Sequence, residues 1–97
     1  GYRISPEEIE RAILTLEFVE NCAVLPKKDE KKGYIIKAVV KLKKPFSGGE
    51  TLMKKISDRV SELIGPHVRP REIEFVDNIP LTPTGKIKRD ELLKIFS

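Results

Sequence analysis

The run Pro80-Leu81-Thr82-Pro83-Thr84-Gly85-Lys86-Ile87-Lys88-Arg89 gathers the residues best suited to chemistry in this chain. Pro80 and Pro83 restrict the backbone and Gly85 permits a tight bend, which leaves Lys86 projecting from the tip of a short loop. An ammonium held there is a positive charge that can enter a neighbouring site and be withdrawn from it. The plain alternative is a solvated surface lysine, which for an arbitrary lysine is the ordinary case. A nucleotide-binding P-loop is excluded. A glycine is missing where that motif requires one, Ile87 replaces the Ser or Thr that should follow the lysine, and no strand-loop-helix cradle surrounds it.

Other reactive side chains are few. Cys22 is the single cysteine, so no internal disulfide can form and a reducing compartment is expected. It lies in the strand-like Cys22-Ala23-Val24-Leu25, where a buried inert thiol is the expected reading. His67 is the single histidine and has no second His or Cys nearby on which a zinc site could be built, so no metal site is expected in this chain.

The elements that must position the loop can be read in order. Ser5-Pro6-Glu7-Glu8 is a helix start, with Ser5 as N-cap, Pro6 in the first position and Glu8 completing a capping box. Ile9, Ala12, Ile13 and Leu16 then form one apolar face. Residues 19–25 and 34–42 read as strands, and the polar Lys27-Lys28-Asp29-Glu30-Lys31-Lys32-Gly33 as the hairpin loop between them. In the second strand Ile36, Ala38, Val40 and Leu42 fall on one side and Lys37 and Lys41 on the other, which predicts a sheet with one dry face. Leu52, Met53, Ile56, Val60, Leu63 and Ile64 mark a second helix, stopped by Gly65-Pro66. Ile73, Phe75 and Val76 form a third strand, and Leu92, Leu93 and Phe96 a final short helix beginning near Arg89. The order α-β-β-α-β-α predicts an α+β domain: a small antiparallel or mixed sheet of about three strands, with helices covering one face.

At 97 residues the chain is one domain, residues 1–97, with room for a single modest core. Charged residues make up 35% and both signs are interspersed, which excludes a membrane span and points to a solvated surface. The formal charge of +4 suits a polyanionic partner such as a nucleotide, coenzyme A or nucleic acid. An RNA-binding module is the rival from another class. Against it, no Gly-x-x-Gly loop is present, and Phe18, Phe46, Phe75 and Phe96 are scattered rather than grouped for stacking. The sequence opens on Gly1 without a charged and then apolar leader, so a fragment of a longer chain, with no secretion signal and cytoplasmic, is expected.

Two strings carry a resemblance. Pro80-x-Thr82-x-Thr84-Gly85-Lys86-Ile87-x-Arg89-x-x-Leu92 resembles the C-terminal signature of the adenylate-forming enzymes, which include acyl-CoA synthetases, luciferases and peptide-synthetase adenylation domains. Gly1-Tyr2-Arg3-Ile4-Ser5-Pro6-x-Glu8-Ile9-Glu10 resembles the same family's hinge-proximal loop and following helix, and leans toward acyl-CoA synthetases. Ala23-Val24, Asp29, Gly33, Lys37-Ala38 and Ile73-Glu74-Phe75-Val76 also fit, so the similarity covers essentially the whole chain. Departures fall near strand ends: Leu16-Glu17 stands where His-Pro is usual, Pro26-Lys27-Lys28-Asp29 replaces Gly-x-Pro-Asp, and Gly33-Tyr34 replaces Gly-Glu. Ser61 occupies the place of an arginine that approaches CoA phosphates in the acetate-activating branch, with Arg59 as a possible substitute.

The resemblance implies a mobile C-terminal domain whose larger N-terminal partner domain, absent from this sequence, binds ATP, Mg2+ and the carboxylic acid. It implies that Lys86 assists attack of the carboxylate on the α-phosphate, supported by Thr82, Thr84 and Gly85. Domain rotation then brings Gly1, Tyr2 and Arg3 to the channel where the CoA thiol attacks acyl-AMP and releases AMP. For Arg3 a salt bridge to Glu7 or Glu10 is an equal alternative, and for Tyr2 packing is. The same resemblance leaves open a carrier-protein thiol as acceptor. The isolated chain is expected to be inactive.

Overall fold

The N-cap and the first-turn proline at the head of the chain take the places their residues predict. In the computed structural model, which describes residues 4–31 and 33–96, Ser5 Oγ accepts a hydrogen bond from the Glu8 N–H at 3.2 Å. Pro6 opens helix α1 (Pro6–Leu14) in the first position, where its missing N–H has no partner to lose. Ile9, Ala12 and Ile13 are buried on one side of this helix, with Leu16 just beyond its end.

Strand β1 (Val19–Asp29) pairs antiparallel with β2 (Gly33–Leu42), Val24 facing Ala38 and Cys22 facing Val40. Helix α2 (Glu50–Leu63) then crosses to β3 (Glu72–Phe75), which joins β2 in parallel register with Ala38 opposite Ile73. Helix α3 (Arg89–Phe96) ends the described chain. The sheet is mixed, in the order β1-β2-β3, so β1 presents one open edge. Among the described residues no helix is long and apolar enough to cross a membrane.

Three expectations need correction. The hairpin loop is shorter than its polarity suggests, because Lys27, Lys28 and Asp29 continue β1 and pair with Ile35, Tyr34 and Gly33. Their charges are tolerated at an edge strand, and Lys27 Nζ meets Glu72 at 2.8 Å from across the sheet. Pro26 is tolerated there too, since an edge strand need not use every N–H. Gly33, at φ +84°, supplies the left-handed turn residue that closes the hairpin.

The sheet is also dry on both faces. Cys22, Val24, Ala38 and Val40 meet α1 and α2 through Ile9, Ile13, Ile56 and Val60. On the opposite side Ala23, Leu25 and Val39 meet Ile79 and Leu92, so α3 covers the face expected to be wet. Lys37 shares that face and is only 6% exposed. Its stem lies along the sheet while its ammonium reaches Glu74 at 3.0 Å and sits 4.6 Å from the Phe96 ring centroid. Leu63, assigned by spacing to the apolar stripe of α2, instead lies 54% exposed, at the last position of the helix.

The lysine loop and its anchorage, a candidate functional site

The loop leaves the second core cluster at Ile79 and returns to it at Ile87 and Leu92. Between these roots Leu81 and Ile87 form an antiparallel bridge. The Lys88 N–H donates to the Pro80 carbonyl at 2.9 Å, and the Thr82 N–H to the Lys86 carbonyl at 2.7 Å. The turn is closed by the Gly85 N–H donating to the Thr82 carbonyl at 2.9 Å, with Gly85 at φ +88°. A side chain at that φ would be strained, which is the physical reason for glycine there. Thr82 Oγ1 accepts the Lys86 N–H at 3.1 Å and shares a hydrogen bond with Thr84 Oγ1 at 3.1 Å. Thr82, Thr84 and Gly85 are thus brought together around the backbone of Lys86. The Lys86 side chain is exposed and has no ion pair among the described residues, so its charge is available to a group outside the domain.

Immediately beyond the loop is a structure that motif reading missed. Arg89, the first residue of α3, donates Nη2 to Glu10 Oε1 at 2.7 Å and Nη1 to Glu10 Oε2, a two-pronged ion pair. Glu10 is buried at 6% exposure and also accepts the Val24 N–H at 2.7 Å through Oε2. Arg89 Nη1 reaches the Val24 carbonyl at 3.4 Å. The pair therefore satisfies both backbone groups that Val24 turns away from β2 at the open edge of the sheet. Helices α1 and α3 lie on opposite faces, and this contact joins them around that edge. Glu7 stands 3.9 Å from the same guanidinium. The hydrogen bond to Glu10 is the main reason the Arg89 pKa is raised above its ordinary value.

The sequence did carry a signal for this pair. Glu10 adjoins the apolar stripe Ile9, Ala12, Ile13, where an acid needs a partner, and Arg89 belongs to the string that carries Lys86. Sequence reading offered Glu7 and Glu10 to Arg3, a pairing that lies outside the described residues, and both acids face Arg89 in the fold. Gly1, Tyr2 and Arg3 themselves lie outside the described residues. Cys22 is buried under α1, with Sγ 3.6 Å from the Glu10 carbonyl, and burial first and the Glu10 charge second push its pKa up to about 12. Ser61 donates to the Val68 carbonyl at 3.2 Å, holding the segment after α2. Arg59 is half-buried on the same helix. No group of three or more His, Cys, Asp or Glu suited to a metal occurs among the described residues.

Comparison with known proteins gives a uniform result. The family model described as AMP-binding enzyme C-terminal domain matches residues 8–86. An uncharacterized acyl-CoA ligase of Bacillus subtilis (strain 168), YtcI, is 40% identical over 94 residues, which is 97% of this chain and 18% of that protein. The crystal structure of a Brucella canis acyl-CoA synthetase superposes with a TM-score of 0.90 at 38% identity, covering 98% of this chain and 18% of the other. An anthranilate CoA ligase, AuaEII, solved in complex with anthranoyl-AMP, gives a TM-score of 0.87 at 36% identity, covering 98% of this chain and 18% of the other. The chain thus spans less than a fifth of the length of these relatives.

Proposed function

The chain belongs to the AMP-binding enzyme C-terminal domain family, and from that premise we propose that it is the mobile C-terminal domain of an ATP-dependent acyl-CoA synthetase in which Lys86 serves adenylation. The observation that carries the reading is an exposed Lys86, without an ion pair among the described residues, on a loop whose turn is hydrogen-bonded. In the first half-reaction a carboxylate oxygen attacks the α-phosphorus of ATP, and the bond to the pyrophosphate oxygen breaks. Both reactants are anionic, so a cation placed beside the carboxylate and the α-phosphate lowers the barrier where charge accumulates. The hydrogen-bonded loop fixes the backbone from which the ammonium projects, so less reorganisation is needed at the moment of reaction. Removing such a donor costs about 3–4 kcal/mol, or roughly a hundred- to thousand-fold in rate.

In the second half-reaction the loop withdraws and the thiol of CoA attacks the acyl-adenylate, releasing AMP. Gly1, Tyr2 and Arg3 are assigned to the thiol channel. The relatives' names as CoA ligases favour CoA over a carrier-protein thiol as acceptor. Mg2+, ATP and the acid are assigned, as the family resemblance implies, to the larger N-terminal domain of the same protein. A reducing, cytoplasmic setting suits the lone buried thiol.

The test is Lys86→Ala in the full-length protein, with the half-reactions assayed separately. Acid-dependent ATP–pyrophosphate exchange should collapse while thioester formation from supplied acyl-AMP survives. Unchanged exchange would remove Lys86 from the chemistry.

A further inference from the structure

Arg89 lies three residues beyond Lys86 and is held more firmly than any other charged side chain near the loop. We propose that Arg89 is a positioning residue for adenylation: its two-pronged bond to Glu10 fixes the returning limb of the loop, and so fixes where Lys86 points. The inference rests on the assignment of Lys86 to adenylation. Its structural basis is independent of that assignment.

The loop's own hydrogen bonds make residues 80–88 one stiff unit, but they do not orient that unit on the domain. Orientation comes from its roots. The outgoing root is apolar, Ile79 in the second core cluster. The returning root is apolar at Ile87 and polar at Arg89, and only the polar contact is directional. It has four atoms to satisfy at once: both Glu10 oxygens, the Val24 N–H and the Val24 carbonyl. The planar guanidinium can meet both oxygens and the carbonyl together, whereas an ammonium is a point charge that cannot hold the same fork. Because Glu10 sits in α1, the contact also ties the loop to the helix that begins at Pro6. The lysine loop and α1 therefore share one fixed joint, set inside the domain rather than by the partner domain.

The experiment uses the full-length protein with Arg89→Lys, Lys86→Ala and the double variant. A misplaced ammonium of the order of an ångström lowers catalysis roughly a hundred-fold. Arg89→Lys should therefore lower the kcat of pyrophosphate exchange by about ten- to a hundred-fold with KM for ATP and acid little changed. Thioester formation from acyl-AMP should be largely retained. The double variant should be no slower in exchange than Lys86→Ala alone, since a positioning residue has nothing left to position. Glu10→Gln breaks the same joint from α1 and leaves Val24 an acceptor, and it should give the same pattern if Arg89→Lys folds poorly. Equal loss in both half-reactions, or losses that multiply in the double variant, would overturn the positioning role. If Lys86→Ala abolishes exchange and Arg89→Lys leaves it unchanged, that role alone falls. If Lys86→Ala leaves exchange intact, the functional reading falls first.

Discussion

Removing either end of the Glu10–Arg89 pair should destabilise the isolated 97-residue chain, and by unequal amounts. Arg89→Ala leaves the Glu10 carboxylate, with a side chain 8% exposed, holding a single neutral donor, the Val24 N–H at 2.7 Å. An acid stranded in this way costs about 3–5 kcal/mol. Glu10→Ala strands less. The Arg89 side chain is 30% exposed and can turn to water and toward Glu7, so the main penalty is the orphaned Val24 N–H, about 1–3 kcal/mol. For a domain of this size one kcal/mol moves the melting temperature by about 5 °C, which places the losses at roughly 15–25 °C and 5–15 °C. Urea unfolding followed by circular dichroism at neutral pH measures both, and an unchanged m-value confirms that the comparison is of stability alone. Equal losses, or a larger loss for Glu10→Ala, would refute the asymmetric-burial argument. Losses under about 1 kcal/mol for both would show that the pair behaves as an exposed one.

Two further outcomes follow from the core. The Cys22 thiol, raised from 9.0 to about 12, should resist alkylation in the folded chain at pH 8 and react on unfolding. Because its folded pKa is the higher one, its contribution to stability is complete below about pH 9 and declines toward pH 12, at up to about 1.4 kcal/mol per pH unit, a slope that Cys22→Ala should remove from the unfolding profile. In α2, Ile56→Ala should cost about 2–5 kcal/mol in a urea titration, because Ile56 is fully buried against α1 and the sheet. Leu63→Ala, at a position 54% exposed, should change stability by about 0.5 kcal/mol or less, and a larger loss would restore Leu63 to the core.

What could be read in advance, and what could not, divides by the range of the interaction. Ser5-Pro6-Glu7-Glu8 and the stripe Ile9, Ala12, Ile13 depend on neighbours within one or two helical turns, so α1 was legible. The loop around Lys86 was legible for the same reason: Thr82, Gly85 and Lys86 close their turn within five residues. Lys37 was misjudged because its alternation with Ile36 and Ala38 says which face it takes and nothing about what covers that face. Only α3, arriving from the far end of the chain, makes it dry. Lys27 to Asp29 were misjudged because polarity signals a loop, whereas an edge strand also accepts charge. The Glu10–Arg89 pair spans 79 residues of sequence. Each member had local explanations available, and no periodicity links them.

A buried ion pair is weak evidence for stability in general, since apolar residues of similar volume often serve as well. The pair described here differs because it does not simply fill space. It supplies a donor and an acceptor to Val24 at a place where β1 turns its backbone away from β2 and the helices on opposite faces are joined. Apolar replacements would leave that N–H and carbonyl without partners while also freeing the returning limb of the loop. Edge protection and loop orientation thus fall on the same two side chains. On the proposed role of Lys86, its loop must move with its domain and not on it. In this fold that rigidity comes from closing a sheet edge.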